Sequence, residues 1–500
     1  MGEREASMPG GARDRLDGQD GRDRRDGLRR GPWAAAAGVA ALAAVLYTTA
    51  PPGTARAAEK PQPYAFAEDA PTVPGTPSGT GSRTLLPGSY RSAIKHPGPT
   101  GTTELYYRLE LNRTDNAYVS VTALPSLGSR VGYADGITVS VQDANGFLCD
   151  SGEAHFGSSR SPRPLTASAL RDAGGDSRCA RAGTYYLVVE RTTPSRTPGS
   201  TSTEKPSTPE EWDLELYVAS EPGLARPAAT TAPLEADPEN PPSPAPPTGA
   251  ARPRAGGTSF ASAPALAKGV WDDRVKPGQT RYYRVPVDWG QRLSATVELG
   301  GSAEPRTGAS GGRTARGTRG DDFVSGGLVV SLFNPARRPV DDVQASYDGR
   351  QRSADLPALP PVAYENRYAR LTRASEVRFA GWYYLAVHLS PDVAPLFGDD
   401  PVGLTLRVDV SGKPRRGPAY AGEARPENEF AVTERDEDAA REGSAADGPA
   451  KQASGVASDA GDDAGDEAMM IVAAAGIGTG TVLVAVLGVW TLVARRGRSA

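Results

Sequence analysis

Apolar residues at alternate positions run through the middle of this chain, and the clearest such run occurs twice. Ala182-Gly183-Thr184-Tyr185-Tyr186-Leu187-Val188-Val189 returns as Ala380-Gly381-Trp382-Tyr383-Tyr384-Leu385-Ala386-Val387. Tyr185, Leu187 and Val189, like Tyr383, Leu385 and Val387, keep the period of two that puts large apolar groups on one face of a strand. The opposite faces, Tyr186-Val188-Glu190 and Tyr384-Ala386-His388, are more polar, which predicts a sheet with one side toward solvent.

The neighbouring segments repeat in the same order. Gly88-Ser89-Tyr90 and Leu105-Tyr106-Tyr107-Arg108-Leu109 match Gly269-Val270-Trp271 and Arg281-Tyr282-Tyr283-Arg284-Val285. Residues 117–124 match 292–299, and 136–141 match 327–332. The turn Asp143-Ala144-Asn145-Gly146 then answers Asn334-Pro335-Ala336-Arg337. Each copy closes on an alternating strand, Trp212 to Val218 or Leu404 to Val410. Seven or eight short strands per copy, separated by Gly/Pro turns and without helical periodicity, predict an all-β chain: two antiparallel β-sandwich (jelly-roll-like) domains in tandem.

The two cysteines, Cys149 and Cys179, both fall in the first copy. An even pair in an exported chain favours one disulfide. Aligning the copies sets Cys179 against Val377 and Cys149 near Val340, as two buried neighbouring positions would permit.

The order of G-x-Y/W opening, Tyr-Tyr-Arg strand, Asp143–Gly146 turn, G-x-Y-Y-L strand and final alternating strand resembles the bacterial pre-peptidase carboxy-terminal (PPC-like) domain, over 83–220 and 257–411. The resemblance implies an accessory β-sandwich of secreted enzymes, sometimes linked to substrate or calcium binding. The remainder of the chain resembles actinobacterial surface proteins that are secreted, Ala/Pro-linked and held by a carboxy-terminal helix.

The chain has 500 residues with 58 Gly and 45 Pro, too much turn and linker material for one large core. The division expected is signal peptide or amino-terminal anchor 1–57, linker 58–82, repeat one 83–221, Pro/Ala linker 222–256, repeat two 257–412, acidic disordered stalk 413–467, transmembrane helix 468–494 and cytoplasmic tail 495–500. Arg22 to Arg30 precede an apolar run from Trp33 to about Ala50, the layout of an export signal. Met469 to Ala494 is long and apolar enough to span a bilayer, and Arg495, Arg496 and Arg498 place the tail inside the cell. The expectation is a single-pass plasma-membrane protein with its repeats outside. Gly476 and Gly480 form a G-x-x-x-G that could pair helices into a homo-oligomer, although Gly is common in such helices anyway. The spacers predict domains that unfold independently.

The net charge of −4 gives no case for nucleic acid. The three histidines, His96, His155 and His388, sit in no Gly-x-Ser-x-Gly or His-Glu-x-x-His context, so no catalytic, cofactor or metal residues are assigned. Asp272-Asp273, Asp321-Asp322, Asp341-Asp342 and Asp399-Asp400 read as solvated turns rather than calcium ligands. Tyr106, Tyr186, Tyr282 and Tyr384 offer each outer sheet face an aromatic patch for an envelope protein or cell-wall glycan, or else lie under a loop. These features favour a non-enzymatic, membrane-anchored surface protein that binds or scaffolds. An accessory subunit of an envelope enzyme or secretion complex is the alternative, and an orphan secreted hydrolase a more distant one.

Overall fold

The computed structural model describes residues 61–98, 102–175, 178–193, 207–234, 245–302 and 322–442. Repeat one contributes β1 (Gly88–Ile94), β2 (Thr103–Leu111), β3 (Asn116–Leu124), β4 (Gly136–Asp143), β5 (Leu148–His155), β6 (Leu165–Arg171), β7 (Gly183–Thr192) and β8 (Trp212–Glu221). After a two-residue strand, β9 (Arg252–Pro253), repeat two gives β10 (Gly269–Val275), β11 (Thr280–Val287), β12 (Arg292–Leu299), β13 (Val324–Phe333), β14 (Pro339–Tyr347), β15 (Arg352–Asp355), β16 (Gly381–Leu389) and β17 (Val402–Ser411).

The duplication seen in the sequence is a duplication of topology. Repeat one forms sheets β1-β8-β3-β6 and β2-β7-β4-β5, and repeat two forms β10-β17-β12-β15, with β9 added at its edge, and β11-β16-β13-β14. All neighbours are antiparallel except β9 on β10. Each pair of sheets encloses its own core: Tyr107, Leu109, Val139, Leu187 and Leu216 in sandwich one, Tyr283, Val285, Val330, Leu385 and Leu406 in sandwich two. Tyr90 and Trp271, at matched positions, bind the carbonyl four residues back, Leu86 and Ala267, each at 2.9 Å.

The disulfide joins Cys149 to Cys179. Cys149 lies in a bulge where the β4–β5 register shifts between Val141 and Gln142. Val340 lies in the same bulge of repeat two, between Leu332 and Phe333. Val340 and Val377 are buried in the sandwich-two core, so packing there occupies the place of the cross-link.

The spacers differ from expectation. Part of the stretch read as a 58–82 lead-in linker lies on the first sandwich: Thr72 pairs with Arg91, Thr76 with Tyr106, and Thr84 beyond it with Arg108. The counterpart before β10 does the same, with Gly257 on Tyr282 and Ala265 on Arg284. A Pro/Gly-rich segment with few apolar side chains is held here by backbone hydrogen bonds along a sheet edge. Residues 413–442, expected in the disordered stalk, are packed as well. Ala225 and Ala421 donate to Ala419 and Gly223 across a short antiparallel pairing, at 2.8 and 2.7 Å, and Phe430 is 3 % exposed. A helix, Glu434–Glu442, follows; Thr433 and Asp436 cap its start reciprocally, and Asp436 accepts from Trp382 Nε1 at 3.1 Å.

The signal run and Met469 to Ala494, with Gly476 and Gly480, lie outside the described residues. Among the described residues no helix is long and apolar enough to cross a membrane.

Candidate functional site

Glu215, Tyr217, Ala219 and Glu221, on the outer face of β8, are all buried, as is every residue of β3. What covers them is the second sandwich and the tail. Tyr118 meets Phe379 edge-on at 5.1 Å, and Phe430 of the tail stacks on Phe379 at 4.4 Å. Beside them, Phe260 touches Tyr282, Phe333 and Tyr384, each edge-on at 5.1 Å. The outer face of β1-β8-β3-β6 is therefore docked on the outer face of β11-β16-β13-β14.

Buried charges cross this contact. The turn that carries Gly146 at φ +80° in repeat one carries Arg337 at φ +56° in repeat two. A side chain in the left-handed region costs on the order of 1 kcal/mol. Arg337 lies 3.9 Å from the centre of the Tyr217 ring and 3.1 Å from Glu215, which also accepts from Tyr64. Burial alone would lower the guanidinium's pKa, but Glu215 and the neighbouring tyrosines raise it overall. Glu221 accepts from Asn116, Tyr118, Arg367 and Tyr420 at 2.7–2.9 Å. Burial would raise this carboxyl, yet Arg367 and these donors hold it below the usual range. Glu376 is held down in the same way against burial, by Arg338 and Arg378. Arg338 also reaches Asp150 of sandwich one at 3.7 Å.

His388, read as facing outward, is 2 % exposed. Its Nε2 lies 2.6 Å from Ser161 Oγ of the other sandwich and its Nδ1 3.0 Å from Thr280 Oγ1. Burial and then Arg163 depress its pKa to about 3, so the imidazole is neutral. A Ser–His contact suggests a nucleophile, but Ser161 is fully buried and the third group is a threonine hydroxyl. A reacting carbonyl would have no route to it. Among the described residues no three His, Cys, Asp or Glu side chains gather to hold a metal.

The four candidate tyrosines divide. Tyr282 and Tyr384 are 1 % and 9 % exposed inside the interface, so they present no contact surface. Tyr106 and Tyr186 stay partly exposed on the outer face of β2-β7-β4-β5, edge-to-face at 6.3 Å. Tyr106 donates to Glu104 at 3.0 Å, and Arg108 and Thr184 both donate to Glu110. Partial burial, then Glu104 directly across the sheet, raises the Glu190 carboxyl. Part of Tyr186 lies beneath Gly79, where a Cβ would come within 2.8 Å of the ring.

The residues that join the sandwiches were not legible as a site. Glu215, Tyr217 and Glu221 alternate with apolar groups as a solvated face would. Two signals were present: an arginine at the position of Gly146, and Thr433-Glu434-Arg435-Asp436, a helix-capping pattern just after Phe430.

No protein-family model and no curated protein matches this chain. Solved structures match at low scores. The CUB1-EGF-CUB2 region of human MASP-1/3 is 6 % identical over 64 % of this chain and 99 % of its own, with a TM-score of 0.14. The ANX2 ectodomain from Arabidopsis thaliana is 9 % identical over 67 % and 92 %, with a TM-score of 0.17. The CBM22-1-CBM22-2 tandem domain of Paenibacillus barcinonensis Xyn10C is 10 % identical over 65 % and 92 %, with a TM-score of 0.15. At these scores the likeness carries no argument about this chain.

Proposed function

We propose that this is a non-enzymatic surface protein in which two PPC-like sandwiches act as one rigid binding body, anchored by residues 468–494 with the sandwiches outside the cell. One observation carries the reading: the tyrosine-bearing face used to dock repeat two is left open in repeat one, at Tyr106 and Tyr186. Flat amphipathic rings with carboxylates at hand suit a polar, ring-containing partner such as an envelope glycan, or a protein surface. The buried arginine–glutamate contacts fix that face relative to the tail that leads toward the membrane.

The test is binding of the labelled full-length protein to isolated cell envelopes. Tyr106→Ala with Tyr186→Ala should remove most of the binding while leaving the unfolding transition in place; undiminished binding would count against this face. In the alternative, an accessory subunit of an envelope complex, partners depend on the anchor. Loss of all binding on deleting 468–500, with the tyrosine variant unaffected, would favour that reading. Protease added to intact cells should remove both sandwiches and leave a membrane stub; protected sandwiches would refute the topology.

A further inference from the structure

The linker after β8, the loop 360–366 and the tail at 415–419 meet around a groove of about 330 Å³. Arg226 enters it from the linker, and Arg415 and Arg416 enter from the tail. All three are exposed, and none has a side-chain hydrogen bond or ion pair among the described residues. Glu365 is the only acidic residue of the lining. Pro227, Pro233, Pro360, Pro361 and Pro418 line it together with Trp289.

The groove is built rather than incidental. Arg415 N–H donates to Trp289 O at 2.8 Å. The methylenes of Arg415 cross Gly290 so closely that a Cβ there would lie 2.7 Å from them, and a Cβ on Gly417 would lie 2.4 Å from Trp289 Nε1. Both glycines permit the tail to lie close against this turn, which brings Arg415 and Arg416 into the lining of the groove.

We infer that this groove binds an anionic sugar. Guanidinium groups match carboxylate and phosphate oxygens in paired geometry, and three of them facing one carboxylate leave an excess of positive charge in a protein of net charge −4. Proline rings supply apolar contact for sugar C–H faces. The volume sits at the lower end for small-molecule pockets, enough for one or two sugar rings. The anion is a uronate carboxylate or a sugar phosphate, which share this chemistry. The site stands apart from the Tyr106 and Tyr186 face and does not depend on it.

The experiment is calorimetric titration of the full-length protein in detergent with digalacturonate, lactose phosphate and neutral lactose. At least one anionic probe should bind, which identifies the anion, and lactose should not. Each of Arg226→Gln, Arg415→Gln and Arg416→Gln should weaken binding about fivefold, the triple variant should abolish it, and added salt should weaken it. Tyr106→Ala with Tyr186→Ala should leave it unchanged, which separates this result from the failure or success of the tyrosine face. The side chains are exposed, so unfolding curves of the variants should overlay the wild type. Failure of both anionic probes, equal binding of lactose, or full binding by the triple variant would overturn the proposal. So would binding seen only after Glu235→Gln, Asp237→Asn and Glu239→Gln, which would assign the groove to the chain's own acidic linker.

Discussion

Tyr106 and Tyr186 on the first sandwich hold the same strand positions as Tyr282 and Tyr384 on the second, yet one pair looks outward and the other is enclosed. The difference lies in the neighbours. Glu104, Glu110 and Glu190 surround the first pair, where the second has Thr280, Pro286 and His388. Three carboxylates on a sheet face make its burial expensive unless each gains a cation, whereas a hydroxyl, a proline and a neutral imidazole are readily enclosed. The opposite faces show the converse. Glu215 and Glu221 on β8 are buried because Arg337 and Arg367 of the second sandwich reach them. The equivalent face of sandwich two carries Arg407 paired to Glu298 on its own sheet at 2.6 Å. The two repeats thus meet through unlike faces, and the charges of the outward faces are either exposed or paired within their own sandwich, as buried Asp409 is with Lys268.

The widest gap is expected from the tyrosines themselves. Tyr282→Ala should lower stability by about 3–5 kcal/mol, as for a buried aromatic, whereas Tyr106→Ala should change it by less than about 1 kcal/mol in urea unfolding. Equal losses would break the distinction between the faces. Next is Arg337→Gly, which restores the residue type of the matching turn and relieves the left-handed arginine. It also leaves Glu215 buried without its cation, so a net loss of about 3 kcal/mol is expected. A variant as stable as the wild type would show that the turn, not the interface, governs the residue.

Reduction of Cys149–Cys179 opens a loop of 30 residues, worth roughly 3.6 kcal/mol by the chain-entropy estimate. Independent repeats would lose stability in sandwich one alone. With Asp150, next to Cys149, facing Arg338 across the interface, calorimetry should instead show one transition for both sandwiches at a lower temperature. An unchanged second transition would mean that the contact does not couple them.

The smallest effect is a balance of two titrations. Below pH 6.5 the unfolded chain takes up a proton on His388 that the folded protein, with its imidazole at about 3, refuses. Stability present above pH 6.5 is therefore lost as pH falls toward 3, by about 2 kcal/mol between pH 7 and pH 5. Glu429 of the tail is pushed up to about 7 by burial, against a hydrogen bond from Tyr217 and the charge of Arg337. It runs the other way: between pH 7 and pH 4.5 the folded state holds the proton more tightly, so stability grows as pH falls. Over pH 7 to pH 5 its gain is of the same size, about 2 kcal/mol, so the two contributions largely offset each other in the wild type. Unfolding free energies measured from pH 7 to pH 5 should fall more steeply in Glu429→Gln than in the wild type, and rise in His388→Asn. Identical slopes in all three would remove both groups from the account.

The interior of each sandwich was legible because it is local and repeated. Tyr185, Leu187 and Val189 announce an inward face by period two, and the alignment that set Cys149 against Val340 and Cys179 against Val377 marks positions that a cross-link or packed side chains can fill. The other half of each sheet was not legible by the same rule. On β8, Glu215, Tyr217 and Glu221 have the composition of a wet surface, and only the approach of Arg337, Arg367 and Tyr420 makes them interior.

By itself the sequence determined strand identity, the duplication, the cross-link and each core, since backbone periodicity and side-chain hydrophobicity act within a few residues of one another. Only the tertiary structure decided which outer face is buried, and that the acidic tail and proline-rich spacers bind the repeats together. Burying a charge depends on where its counter-charge arrives, and Glu215 finds its own more than a hundred residues further along the chain.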